Sequence, residues 1–259
     1  METSSIPNRL SMAMPLDGAH VRWASTFYAA LFALAVVAFW PGYLAAPSQD
    51  HSGWTHFHAV TGTLWLVLLI VQPWAIRSGR RKLHVTLGRA SLVLAALVVV
   101  GFIGLTHSSM QGKSPQGRAV DAYFFYIRLV LVSIFIVAYV QGVLHRREPE
   151  VHSRYMLSTG LPFLDPVIHR ISQRLAGGAD LNYQMFTFGL ACLLLAMLMG
   201  AARRKPQARK ALGVVLLLFV LGGLPLALEF HTWGAAWVQW KSFARGFAEL
   251  PITTLSLRP

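Results

Sequence analysis

Long apolar stretches alternate with short polar turns along most of this 259-residue chain. A helix needs about 20 apolar residues to cross a bilayer, because backbone amides in hydrocarbon must be hydrogen-bonded within the segment. The stretches that meet this requirement are 23–41, 56–76, 86–107, 121–144, 152–170, 181–201 and 211–229. The pattern predicts an all-α membrane bundle of seven helices that forms a single domain over residues 1–259, with helices 2–5 (about 56–170) as its core and the other three at the periphery.

The fifth stretch is the weakest, since Pro162, Asp165 and Pro166 interrupt it. The basic residues nevertheless favour a crossing there. If this stretch crosses, the basic turns within 77–89, 146–154 and 203–210 all lie on one side together with the N-terminus. Lysine and arginine accumulate on the cytoplasmic side of membrane proteins. The sequence therefore predicts a cytoplasmic N-terminus and an external C-terminus.

Residues 232–248 follow the last span and differ from it in pattern. Their aromatic residues recur at steps of three and four, with basic residues between them. This is typical of an amphipathic helix that lies in the membrane interface. We expect it to lie on the outer surface.

The composition agrees with a multi-pass membrane protein, because 55% of the residues are hydrophobic and only 13% are charged. The formal net charge is +13, and the basic excess lies in short runs between apolar stretches. Such runs are typical of loops that face anionic lipid, so we expect membrane lipid and not nucleic acid as a partner. The single cysteine, Cys192, excludes an intramolecular disulfide and a thiolate metal cluster.

Two ionisable side chains lie deep inside predicted spans. Arg128 is seven residues from the outer end of helix 4, and Asp165 is 13 residues from the inner end of helix 5. Both are then about 10 Å below the outer surface. A charge inside a span costs about 2.5–3.5 kcal/mol on insertion scales. We expect Arg128 and Asp165 to form an ion pair, which either fixes helix packing or belongs to a site.

The histidines fall into two layers in this topology. The outer layer contains His51, His56, His58, His107, His169 and His231, and the inner layer contains His84, His145 and His152. Asp165 and His169 share one helix face, and imidazole with carboxylate suits a transition metal. Residues expected to bind haem b or another cofactor are His58, His107, His169, Trp65, Gln72 and Gln141, and those expected to bind a metal directly are His58, His107, Asp165 and His169.

The inner histidines begin helices 3 and 5. His84 and His152 form a basic rim with Arg89 and Arg154, for which lipid phosphate is the first expected ligand and a phosphate or quinone head group the alternative. A glutamine precedes each of these histidines, with separations of 12 residues (Gln72 to His84) and 11 residues (Gln141 to His152). Either chance or a parallel duplication of helices 2–3 and 4–5 explains the similarity.

Three stretches resemble a bacterial family of multi-pass membrane proteins of uncharacterised function. They are 58–72 (HAVTGTLWLVLLIVQ), His84–Arg89 (HVTLGR) and 152–170 (HSRYMLSTGLPFLDPVIHR), and they cover helices 2–5. The resemblance implies a helical bundle in the bacterial inner membrane and supplies no established activity. The polar positions that it implies are His58, Gln72, His84, Arg89, His152 and Asp165.

Three classes of function fit these features, and the sequence leaves open whether the protein is an enzyme. The leading hypothesis is an outer-side His/Asp pocket that binds haem or a transition metal for redox or respiratory-assembly chemistry, with quinone or other membrane subunits as partners. The second is an accessory or structural subunit without a cofactor, whose polar residues only fix helix packing. A small transporter or membrane hydrolase is the third, although the sequence lacks HExxH and GxSxG motifs.

Overall fold

The computed structural model describes residues 19–45, 51–111, 115–176 and 182–253, and these ranges contain helices, turns and no strands. The α-helices are α1 (Ala19–Phe39), α2 (Gly53–Arg77), α3 (Arg81–Ser109), α4 (Pro115–Leu144), α5 (Pro149–Ser158), α6 (Leu164–Ala176), α7 (Asn182–Ala201), α8 (Pro206–Ala227) and α9 (Ala235–Glu249). A π-helical turn (Trp40–Leu44) extends α1, and 3-10 turns span Leu161–Phe163 and Phe230–Thr232.

Six helical stretches are long and apolar enough to cross a membrane. They are Trp23–Leu44, Gly53–Arg77, Arg81–Ser109, Val120–Leu144, Gln184–Ala201 and Pro206–Ala227. Their outward side chains are apolar, and Leu92, Val93 and Leu217 are each more than half exposed. Exposed apolar surface of this kind is typical of contact with a membrane. The chain therefore has the architecture of a multi-pass, all-α membrane protein.

The fifth predicted span differs from the prediction. The predicted continuous helix 152–170 is replaced by α5, the 3-10 turn Leu161–Phe163 and α6. Proline has no N–H to donate and its ring clashes with the preceding turn, so Pro162 ends the α-helical hydrogen bonding. Pro166 lies in the first turn of α6, where a missing N–H costs nothing. The count of seven spans and the orientation of the termini stay predictions.

The two halves of this interrupted segment lie at different ends of the bundle. We call the end that carries the turns 78–80, 145–148 and 202–205 the basic end. There Glu150 of α5 forms a salt bridge with Lys205 in the α7–α8 turn. At the other end, Arg174 of α6 donates to the backbone oxygens of Val37 (2.9 Å) and Ala38 in the last turn of α1.

Close helix contacts hold the interrupted segment in place. Gly160, between α5 and the 3-10 turn, faces Tyr28 of α1 so closely that an added Cβ would lie 2.2 Å from the tyrosine ring. The Tyr28 hydroxyl donates to the backbone oxygen of Leu157. The Leu157 oxygen also accepts from the Gly160 N–H at 3.1 Å, so a backbone turn and a neighbouring helix both bind it at the break.

The terminal helix α9 confirms the helix predicted over 232–248, while its position at the membrane surface stays a prediction. It packs against the start of α4, where Phe125 stacks on Trp240 and Phe247 with ring centroids 5.4 and 4.7 Å apart. The Trp240 indole donates to the backbone oxygen of Ala122 at 2.8 Å. Aromatic stacking and this hydrogen bond together fix α9 on the end opposite the basic end.

Candidate functional site

A hydrogen-bonded network joins α6 to α7 around Asp165, which is only 8% exposed. Thr187 Oγ1 donates to Asp165 Oδ1 at 2.6 Å. With its amide nitrogen toward the carboxylate, Gln184 donates to the same oxygen at 2.6 Å and accepts from His169 Nδ1 at 3.0 Å. Donors from two helices thus satisfy the carboxylate, and a satisfied buried network of this kind fixes the packing of α6 on α7.

The predicted direct ion pair between Arg128 and Asp165 is corrected by these contacts. Arg128 donates to Ser109 Oγ at the end of α3, 2.7 Å away, and Thr187 and Gln184 occupy the carboxylate instead. Arg128 still interacts electrostatically with Asp165, and also with Asp121 and Arg170. Asp121 and Asp165 attract the Arg128 guanidinium whereas Arg170 repels it, so two carboxylates, and not one partner, compensate this α4 cation.

The other predicted outer ligands lie in separate surroundings. His107 is fully buried, with Nδ1 2.6 Å from Thr253 Oγ1 and Nε2 3.3 Å from the Gln111 amide nitrogen. His58 packs edge-on against Phe102, and its Nδ1 is buried without a hydrogen-bond partner. His107 therefore joins α3 to the segment after α9, whereas His58 lies between α2 and α3.

These positions overturn the predicted ligand set of His58, His107, Asp165 and His169. Within the described ranges, no group of three or more His, Cys, Asp or Glu residues is arranged to hold a metal ion. The physical reason is that the four side chains face three different contacts, with Asp165 and His169 sharing the one with α7, and three of the four use their polar atoms in hydrogen bonds there.

Trp65 and Gln141 lie in different surroundings from one another. Trp65 is fully buried, donates from Nε1 to Thr159 Oγ1 at 3.1 Å, and meets the rings of Phe135 and Tyr139 edge-on. These contacts make it a core residue that joins α2 to α4 and the break after α5. Gln141 accepts through its backbone oxygen from His145 Nδ1 at 2.9 Å.

The basic end brings two of the predicted rim residues together. The imidazole rings of His84, in the first turn of α3, and His152, in the first turn of α5, have centroids 6.4 Å apart and planes at 90°. His152 Nδ1 donates to the backbone oxygen of Gly142 at 2.7 Å. A carbonyl oxygen only accepts, so the proton of neutral His152 is on Nδ1 and Nε2 carries a lone pair.

Unsatisfied polar atoms lie close to this histidine pair. Gln72 Nε2 donates to the backbone oxygen of His84 at 3.3 Å, whereas Gln72 Oε1 is buried without a partner. His84 Nδ1 is also buried without a partner. Buried polar groups in proteins nearly always have a hydrogen-bond partner. A bound water, ion or ligand would explain each of these unpaired atoms.

The arginines of the predicted rim do not join the histidine pair. Arg154 follows His152 by two residues, about 200° around the helix, and is 7% exposed. It interacts electrostatically with Glu150, one turn earlier on its own face of α5. Arg89 is exposed. The predicted rim thus separates into a histidine pair and a charged face of α5 that meets the α7–α8 turn.

The two similar sequence units meet at the histidine pair. In the first unit Gln72 binds the backbone of His84, and in the second His152 binds the backbone of Gly142, next to Gln141. Each unit therefore closes its helical hairpin with one bond between a side chain and the backbone. A duplication stays a prediction, but its two halves occupy comparable positions at one end of the bundle.

Sequence reasoning missed several residues that complete these sites. Gln184 and Thr187 form the α7 side of the Asp165 network, Ser109 binds Arg128, and Thr253 binds His107. A signal existed for the first two, because polar residues three positions apart begin an otherwise apolar helix. Residues at that spacing lie on one helix face.

The chain matches no protein-family model, no curated protein and no solved structure.

Proposed function

We propose that this protein is a multi-pass membrane redox protein that binds one metal centre, a haem iron, between His84 of α3 and His152 of α5. The observation that carries the proposal is the geometry of this histidine pair. We therefore propose the metal centre at the basic end of the bundle. The outer pocket predicted from the sequence is not proposed, because its ligands lie apart.

The spacing of the rings supports a shared metal. A metal–nitrogen bond is about 2.0 Å, and the ring centroid lies about 1.1 Å beyond the nitrogen, so imidazoles on opposite sides of one metal have centroids about 6 Å apart. The observed separation is 6.4 Å. Perpendicular planes are compatible with this arrangement, since each ring can rotate about its own metal–nitrogen bond.

The hydrogen bonding of His152 supports the same assignment. A metal-binding histidine usually donates its other ring N–H to a carboxylate or a backbone carbonyl, which fixes the tautomer and orients the ring. His152 makes such a bond to Gly142, and its Nε2 lone pair is available. Binding of the metal by His84 would also explain why its ring has an unpaired buried nitrogen.

Haem is favoured over a bare metal ion because two protein ligands are enough to bind haem iron. A zinc site needs three or four protein ligands, whereas haem iron takes four nitrogens from the porphyrin and only its axial ligands from the protein. Gly88 lies one turn beyond His84. A Cβ placed there would have only the Gln72 amide nitrogen within 4 Å, so few atoms pack against this face of α3. When bound, haem iron supplies one-electron transfer between its ferric and ferrous states.

The proposal includes the topology with seven crossings. The contacts of Glu150 at the basic end and of Arg174 at the other end support a fifth segment that crosses the membrane as two short helices. With the basic turns in the cytoplasm, the His84–His152 pair lies near the inner surface. Quinone or another membrane subunit would exchange electrons there.

The test is an optical spectrum and metal analysis of purified protein, produced with a haem supply and without an affinity tag. The wild type is expected to carry one haem per chain with a Soret band, and His84→Ala and His152→Ala should each abolish or strongly shift that band. His145→Ala and His169→Ala are matched controls that should keep it. A wild type without haem or metal, or the same spectrum in both ligand variants, would refute the assignment.

A second candidate is an accessory membrane subunit without a cofactor. The satisfied network of Asp165, Gln184, His169 and Thr187 favours it, because those groups need no ligand to complete their hydrogen bonds. A colourless, metal-free protein that folds stably by itself would support this alternative.

A further inference from the structure

A separate aromatic and imidazole group lies at the end opposite the basic end, between α1 and α2. Tyr43 belongs to the π-helical turn after α1, His51 precedes α2, and His56 lies in its first turn. Their ring centroids are 5.3 Å (Tyr43–His51), 5.5 Å (Tyr43–His56) and 6.0 Å (His51–His56) apart. Three side chains with metal-binding atoms are therefore neighbours of one another.

The local fold explains why these residues meet. Ser52 caps α2, since its Oγ accepts from the backbone N–H of Thr55 at 3.3 Å. Serine is a preferred residue at this position because its side chain satisfies an amide that has no partner within the helix. The cap fixes His51 just before the helix and His56 just inside it, so both rings reach the turn that carries Tyr43.

The donor atoms are arranged like neighbouring ligands. Tyr43 Oη and His56 Nδ1 are 2.8 Å apart and share a hydrogen bond in the absence of a metal. Two atoms that bind one metal at about 2.0 Å and at right angles to each other are also about 2.8 Å apart. The Nε2 atom of His51 is buried and has no hydrogen-bond partner, so it is the third donor.

We propose that Tyr43, His51 and His56 bind one divalent copper ion from the external side of the membrane. Nitrogen and oxygen ligands at right angles are typical of the tetragonal geometry of Cu²⁺, which also binds such ligands more strongly than the other divalent metals of its row. The Tyr43 hydroxyl loses its proton to water when the phenolate oxygen binds copper, so copper binding strengthens as pH rises. His56 is exposed and the other two side chains are partly exposed, which gives the ion a path from solvent.

The copper site is independent of the proposed haem site. It uses other residues, at the other end of the bundle, and needs no change in oxidation state. A chain with His84→Ala and His152→Ala should therefore still bind copper. A chain with His51→Ala should keep its haem spectrum.

The test is a titration of the full-length, tag-free protein in detergent with Cu²⁺, with glycine as a competing chelator. We expect one ion per chain, a tetragonal electron paramagnetic resonance signal with nitrogen splitting, and a phenolate-to-copper absorption band. His51→Ala and His56→Ala should each weaken binding at least tenfold, and Tyr43→Phe should remove the phenolate band. His231→Ala, an exposed histidine at the same end, is the matched control and should bind copper like the wild type.

Three results would overturn the copper site. They are no copper binding by the wild type, unchanged affinity in both histidine variants, or Zn²⁺ binding as tight as Cu²⁺ binding. Circular dichroism of each variant shows whether it is folded. His56→Gln, which keeps a polar side chain at this exposed position, provides a second folded variant that should also lose affinity.

Discussion

At the contact of α6 with α7, Thr187 and Gln184 direct their hydrogen bonds to the carboxylate of Asp165. At the basic end, His84 Nδ1 and Gln72 Oε1 are buried without any such partner. Both regions are polar groups inside an apolar bundle, and both combine residues from different helices. They differ in whether the protein alone completes their hydrogen bonds.

That difference separates a structural role from a binding role. A buried polar atom without a partner costs about 1–3 kcal/mol, whereas a satisfied network specifies one packing arrangement. The Asp165 network therefore needs nothing from outside the chain. The His84–His152 region keeps a cost that a bound group would remove, which is the physical basis for the proposed redox centre there.

The largest expected effect concerns the topology, because it decides which end of the bundle is cytoplasmic and which is external. Leu175 near the end of α6 is 84% exposed, and Arg204 lies exposed in the α7–α8 turn. With Cys192→Ser as background, Leu175→Cys should react with a membrane-impermeant maleimide on intact spheroplasts. Arg204→Cys should react only after the membrane is permeabilised.

An external control makes this labelling result decisive. Val238 on α9 is 56% exposed and lies beyond the last span, so Val238→Cys should label from outside like Leu175→Cys. If the cysteines at 175 and 204 label on the same side, the α5–α6 segment does not cross. The two ends would then not be an inner and an outer site.

The next effect is on stability, where the two regions should respond differently. Asp165→Leu removes the carboxylate that accepts from Thr187 and Gln184, while the Thr187 hydroxyl keeps the Gln184 backbone oxygen as an acceptor at 2.9 Å, so we expect a loss of about 1–3 kcal/mol. Gln72→Leu removes an unpaired oxygen along with one weak bond to the His84 backbone, so the expected change is below about 1 kcal/mol. Unfolding of the cofactor-free protein in mild detergent, followed by circular dichroism, measures both.

The comparison fails if the two leucine variants lose equal stability. Equal losses would mean that the side chain of Gln72 is as fully hydrogen-bonded as that of Asp165. The argument for a binding site at the basic end would then no longer hold. Asp165→Asn is a useful intermediate, since its amide oxygen can still accept from Thr187, and it should lose less than Asp165→Leu.

Much of the fold follows from the sequence, because the spans depend on length and apolarity alone. Helices α2, α3 and α4 contain the predicted spans and extend beyond most of their ends by up to six residues. Pro162 indicates in the sequence that the fifth stretch is interrupted. It does not give the position of the break after Ser158, because that position depends on the close contact of Gly160 with Tyr28.

Less of the candidate site follows from the sequence, because spacing gives a helix face but not the neighbour of that face. The shared face of Asp165 and His169 is correct, and both bind Gln184. Matching depth predicts Arg128 as the partner of Asp165, but depth does not fix rotation about the helix axis. Arg128 faces Ser109 of α3 instead.

The smallest effect tests whether the Asp165 network acts as one unit. Thr187→Val replaces the hydroxyl by a methyl group of similar size and removes one donor to the carboxylate, so it should cost about 1–2 kcal/mol in the wild-type background. Ser133→Ala, which removes an exposed hydroxyl bonded only within its own helix, should leave stability unchanged and serves as control.

The same Thr187→Val change should cost less when it is made in the Asp165→Leu background, where the hydroxyl keeps only the backbone oxygen of Gln184 as an acceptor. The threonine hydroxyl has no carboxylate to bind there, so its removal no longer loses that hydrogen bond. A coupling energy of about 1–2 kcal/mol between the two positions is therefore expected from the double-mutant cycle. If the two losses simply add, Thr187 contributes through packing alone. The hydrogen bonding that distinguishes the Asp165 network from the His84–His152 region would then depend on Gln184.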